Sequence, residues 1–120
     1  MSKINKRGKS PKVGRLKKNF QFQRIYRLGK SLSTKNMILF FKKNGGHDNN
    51  LGISISKKIG NSVQRHRLKR IYKEAFMNFK DVVKEGFDFI IVARRGAGHI
   101  LYADAVNDLN KILSRGKLVR

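Results

Sequence analysis

Apolar and polar positions alternate along this chain with two distinct periods. From Asn19 the spacing is helical: Phe22, Ile25 and Tyr26 fall at i, i+3 and i+4, Asn19 can cap, and Gly29 sits just past the last periodic position. That predicts a short first helix. The apolar run Asn36 to Phe41 then reads as a strand, and the polar stretch Lys42 to Asn50, with its Gly45-Gly46 and Asn49-Asn50 pairs, as a turn. Leu51 to Ser56 alternates large apolar with small residues, the period of a strand covered on one face. Its Gly and Ser side would let a helix or an RNA backbone come close, or simply face solvent.

A second helix is expected from Ser62 to Lys80, with Asn61 as N-cap and Gln64 in capping-box spacing. Phe87 to Ala93 reads as a buried strand and Arg94 to His99 as a glycine-containing loop. Tyr102 to Ser114 reads as a helix carrying Ala105, Val106, Leu109, Ile112 and Leu113. The predicted order is α-β-β-α-β-α, with room for an extra short strand, in an α+β two-layer sandwich. Residues 1–15 read as a flexible basic tail, 16–115 as a single α/β domain, and 116–120 as a basic C-terminal end.

Charge narrows the partners. The 120 residues hold 29 Lys and Arg against 7 Asp and Glu, a formal charge of +22, and no acid precedes Asp48. Self-repulsion on that scale calls for a polyanion, and nucleic acid is the natural one. A membrane surface would ask for a bare amphipathic helix or a lipid anchor, and neither is evident. With no cysteine, disulfides, thiolate metal sites and cysteine nucleophiles are excluded. The lysine-rich start has no apolar core of an export signal, and no run is long enough to span a membrane, so a cytoplasmic location is expected.

On the second helix, residue types separate by face. Leu68, Ile71, Tyr72, Ala75 and Phe79 form a core-facing stripe, whereas Arg65, His66, Arg67, Lys69, Arg70, Lys73 and Lys80 lie outside it. A solvated face would ordinarily mix signs, but Glu74 is the lone acid here. Arg65 and Arg67 also occupy the first turns, where the helix dipole disfavours cations by several tenths of a kcal/mol each. Together with Lys57 and Lys58 they make a concentrated anion site suited to RNA phosphates.

The stretch Ser56 to Arg70, in which Gly60-Asn61 leads into Arg65-His66-Arg67, resembles the signature of the bacterial ribonuclease P protein family. Arg15-Leu16-Lys17-Lys18-Asn19 followed by Phe22, Ile25, Tyr26 and Gly29 is similar to that family's first helix. His66 stands where the family's Arg-Asn-Arg signature has Asn, and neutral His can still donate and accept. Lys35 stands where similar proteins often have Arg.

The resemblance implies a ribosomal protein S5 domain 2-like sandwich with a left-handed β-α-β crossover, opposite to the ordinary rule. It implies a protein subunit, without catalytic residues of its own, of an endonuclease that removes the 5′ leader of precursor tRNA. The catalytic RNA subunit would use Mg²⁺ for the chemistry, in a particle of one protein and one RNA. Lys57, Lys58, Asn61, Arg65, His66, Arg67, Lys69, Arg70 and Lys73 would bind that RNA. Phe22, Tyr26, Lys18 and Lys35 would line a cleft for the leader, core packing being the competing reading of the two aromatics.

Neither the three histidines nor the scattered acids have metal-site spacing, so no metal bound by the protein alone is expected. The alternative function is a structural, ribosomal-type RNA-binding protein. DNA compaction is a further rival that composition alone does not separate.

Overall fold

A computed structural model describes residues 12–120. Ten residues, Asn19–Leu28, form α1. Asn19 is its first helical residue and not its cap: the Gln21 Oε1 atom reaches back to accept from the backbone N–H groups of Lys17 and Lys18, at 3.0 and 2.9 Å. Gly29 ends the helix in extended backbone, φ −86°, not in the left-handed form common at that position. Its requirement is space, since a Cβ there would lie 2.7 Å from the Ile25 carbonyl oxygen and 2.8 Å from that of Phe41.

Five strands form one sheet: β1 (Val13–Arg15), β2 (Lys30–Ser33), β3 (Met37–Lys43), β4 (Asn49–Ser54) and β5 (Phe87–Ala93), in the order β1-β4-β5-β3-β2. Strands β1, β4 and β5 are mutually parallel, whereas β3 runs antiparallel to both its neighbours, β5 and β2. Between the adjacent parallel strands β4 and β5 the chain passes through α2, Ser62–Met77, and after β5 it ends in α3, Tyr102–Arg115.

Two expectations are corrected here. The flexible tail expected over residues 1–15 does not extend to its last three residues, since Val13–Arg15 pairs with Asn49–Leu51 as an edge strand. Val13 is the one apolar side chain in that strand, so no period was available to show it. Residues 1–11, the rest of the expected tail, lie outside the described residues. Asn49 and Asn50 belong to β4 and not to the turn. Asn49 is buried, and its Oδ1 accepts from the Phe87 backbone at 2.9 Å, so a polar residue opens a strand by pairing with its neighbour's main chain.

The sheet has two unequally covered faces. Met37, Leu39 and Phe41 of β3 and Phe87, Phe89 and Ile91 of β5 join Leu68, Tyr72 and Phe76 of α2 and Leu109, Ile112 and Leu113 of α3 in the main core. Burying side chains of this size stabilises the fold by about 1.5–3 kcal/mol each. Helix α1 lies on the opposite face, where Ile25 packs with Leu16 and Ile90. Phe76, absent from the predicted stripe, is fully buried and packs on Phe89 with ring centroids 5.2 Å apart, while Ile71 and Phe79 are only half-buried.

The last segment is tied to the domain as well. Leu118 is buried and its carbonyl accepts from the Lys84 backbone at 2.7 Å.

Candidate nucleic-acid interface

Helix α2 begins as its sequence dictates. Asn61 Oδ1 accepts from the Gln64 N–H and Gln64 Oε1 accepts from the Asn61 N–H, both at 2.9 Å. This capping box occupies two of the donors that would otherwise face an anion, so attraction at this end comes chiefly from the dipole and the cations. Lys57 and Lys58 stand exposed on the short 3-10 turn Lys57–Ile59, immediately before the cap.

The cationic face of α2 divides into two stripes. Ser62, Val63, His66, Arg67 and Arg70 line one shallow depression of about 510 Å³. Lys69, Lys73 and Met77 face a larger groove on the other side, about 630 Å³, at the edge where β1 meets β4. Two of the arginines do structural duty. Arg65 Nε donates to the Gly60 carbonyl at 3.1 Å, and Arg67 Nη2 donates to the Ile100 carbonyl at 2.9 Å, tying α2 to the turn before α3. The sequence did not reveal the second tie, because nothing local relates Arg67 to a residue 33 positions away.

Across the groove stand Lys17, Leu16, Gly52 and the ring of Phe22. The small-residue face of β4 therefore turns toward α1. Phe22 and Tyr26 are both half-buried, with ring centroids 6.4 Å apart, and Tyr26 stands edge-on to Phe40 at 4.9 Å. They cover Leu16, Ile25 and Ile90 with one side and leave the other open.

Of the remaining expected cleft residues, Lys18 is exposed at the N-cap of α1. Lys35 lies elsewhere, exposed in the β2–β3 turn, whose backbone is held by Arg94 Nη1 on the Thr34 carbonyl and Arg115 Nη2 on the Ser33 carbonyl, each at 3.0 Å. Of the four residues expected at the leader, the groove gathers Phe22 alone, with Lys17, Lys69 and Lys73; Tyr26, Lys18 and Lys35 do not line it. Lys17 was missed because it is one of several lysines before the helix with nothing to single it out.

A sequence profile of the ribonuclease P family matches residues 11–117. The chain belongs to the ribonuclease P protein family. It is 42% identical over 104 residues to the ribonuclease P protein component of Macrococcus caseolyticus, covering 85% of each chain. To that of Natranaerobius thermophilus it is 36% identical over 105 residues, covering 88% of this chain and 91% of the relative. Among solved structures, the ribonuclease P protein of Staphylococcus aureus superposes with a TM-score of 0.80 at 34% identity, over 88% of this chain and 97% of that one. The Thermotoga maritima protein superposes with a TM-score of 0.77 at 30% identity, over 84% and 96%.

The chain is accordingly the non-catalytic protein subunit of an endoribonuclease of tRNA processing, partnered by ribonuclease P RNA. The ribosomal-type alternative is not favoured. Among the described residues no group of three or more His, Asp or Glu is assembled as a metal site, and no helix is long and apolar enough to cross a membrane.

Proposed function

We propose that the cationic face of α2 binds the RNA subunit while the groove between α1 and the β1–β4 edge holds the 5′ leader of precursor tRNA. One observation carries the leader assignment: a half-buried aromatic ring, a strand stripped to Gly52 at the point of contact, and Lys17, Lys69 and Lys73 all border one trough. Aromatic rings accept any base at about 1–3 kcal/mol each, and lysines track phosphates without reading sequence. A subunit that must serve many leaders needs those two properties. Mg²⁺ would be held by RNA phosphates, since the acids of this chain do not converge. A cytoplasmic location accords with that partner, as does a single RNA-binding domain preceded by a basic N-terminal arm.

In this reading Lys57, Lys58, Asn61, Arg65, His66, Arg67 and Arg70 meet the RNA subunit, and Lys69 and Lys73 sit where the two RNAs come together. Phe22, Tyr26 and Lys18 serve the leader. Lys35 serves it only where a longer strand runs on past the groove to the β2–β3 turn.

Holoenzyme reconstituted with Phe22→Ala tests the leader role. Affinity for precursor with several leader nucleotides should fall about tenfold or more, the equivalent of one lost stacking contact, while affinity for mature tRNA stays unchanged. Equal loss for both, with a large fall in melting temperature, would make Phe22 a core residue only.

A further inference from the structure

At the end of the sheet away from the α2 N-terminus, four chain segments converge on an opening of about 350 Å³. Lys30, Lys42, Lys43, Lys84 and Lys117 line it, and no acidic residue does. None of the five is ion-paired among the described residues, and Glu85, next to Lys84, is engaged by His47 at 3.0 Å. The inner wall is apolar, built on Phe41, Phe87 and Leu118, with Leu28 standing 56% exposed at the rim.

Helix ends account for only part of this charge. The C-termini of α1 and α3 are close by, at Leu28 and Arg115, and each offers about half a negative charge. The two helix ends, Asp88 opposite Lys42 on β5 and Glu85 beside Lys84 offset part of the five lysines' charge, and the balance at the opening stays positive. Lys117 adds a second sign. Its φ of 54° is the left-handed conformation ordinarily given to glycine after a helix, yet here the glycine, Gly116, is one place earlier at φ −82°. A lysine thus stands where its backbone is strained.

We propose that this five-lysine opening is a second RNA contact, taking the phosphate backbone of a separate segment of the same ribonuclease P RNA, with an unpaired base or ribose against Leu28. The proposal rests on the assignment of α2 to that RNA. Charge excludes the chain itself as occupant, since its N-terminal residues and any second copy are also strongly basic. Strand β5 runs from the opening at Phe87 toward the far end at Ala93, a distance of about 20 Å. The opening therefore meets different phosphates from those at Lys57 and Arg65. Lysines without arginine make it a clamp on backbone, indifferent to sequence.

The test is lysine acetylation of the full chain, read by mass spectrometry, alone, with a bacterial ribonuclease P RNA, and with ATP as a free nucleotide. The RNA should slow modification of Lys30, Lys84 and Lys117 severalfold together with Lys69 and Lys73, and ATP should not. Protection of Lys69 and Lys73 alone overturns the second contact and leaves the α2 assignment standing, whereas protection of neither set overturns both. Protection by ATP without protection by RNA overturns RNA as the occupant.

Lys30→Gln, Lys84→Gln and Lys117→Gly combined should flatten the slope of log K against log salt by roughly 2–3, three contacts at about 0.7–0.9 each. Lys117→Gly alone should melt no lower than the parent chain, because glycine accepts that φ. An unchanged slope in the folded triple variant refutes the clamp.

Discussion

The ring of Phe22 lies directly over Gly52: a Cβ added to Gly52 would stand 2.6 Å from Cζ and 2.7 Å from Cε2 of that ring. No real Cβ tolerates such distances, so any side chain at position 52 must displace Phe22. The glycine in β4 and the aromatic in α1 are thus one device, joining a helix to the sheet face beneath it.

Gly52→Val should therefore disturb the groove without removing any of its cations. It should weaken holoenzyme binding to leader-bearing precursor while leaving affinity for the RNA subunit unchanged, as checked by two titrations at one salt concentration. Overpacking should also cost about 1–3 kcal/mol of stability. Restoring the space with Gly52→Val plus Phe22→Leu should recover part of the stability but not the leader affinity.

Arg67 should show two losses where Lys69 shows one. On the proposed interface Lys69→Gln would remove a phosphate contact alone and should flatten the salt slope of RNA binding by about 0.7–0.9 with the melting temperature unchanged. Arg67→Gln should lower the slope similarly and also destabilise the chain by about 1 kcal/mol, because the Ile100 carbonyl loses its donor. Thermal melts beside salt titrations separate the two effects.

Tyr72 yields a pH prediction. Its hydroxyl is buried, donates to the Asn36 carbonyl at 3.1 Å, and lies in the same network as Asp108, whose Oδ2 accepts from Asn36 Nδ2 at 3.0 Å. Burial, with the Asp108 carboxylate adding to it, pushes the phenol well above its ordinary 10.0. The folded-state value is raised, so the contribution is fully present below the unfolded value and lost as pH rises past it. Stability should fall above pH 10 more steeply in the parent chain than in Tyr72→Phe. At neutral pH that variant should be weaker by about 1 kcal/mol for the lost hydrogen bond. Denaturant melts of both proteins at neutral pH and above pH 10 check the difference.

Helices were legible wherever period and cap coincided. Asn61 and Gln64 announced the start of α2, and the apolar run Phe87–Ala93 marked β5 to the residue. Strands β1 and β2 were not legible, because Val13-Gly14-Arg15 and Lys30-Ser31-Leu32-Ser33 sit at the sheet's edges and carry too few apolar residues to show a period. The cationic face of α2 was readable from residue type alone. What required the fold was its partition: Arg67 to the Ile100 carbonyl, Lys69 and Lys73 to the groove with Phe22. Lys35 shows the same limit, since proximity in sequence to β3 did not place it beside the aromatics.

Reconstitution tests the central claim most directly. Precursor tRNA is incubated at moderate Mg²⁺ and physiological salt with the chain alone, with a bacterial ribonuclease P RNA alone, and with both, and the released leader is quantified. The expected result is no cleavage by the chain alone and strong stimulation of the RNA by the chain. Robust metal-dependent cleavage by the RNA-free chain, or no stimulation by a folded chain, would contradict it.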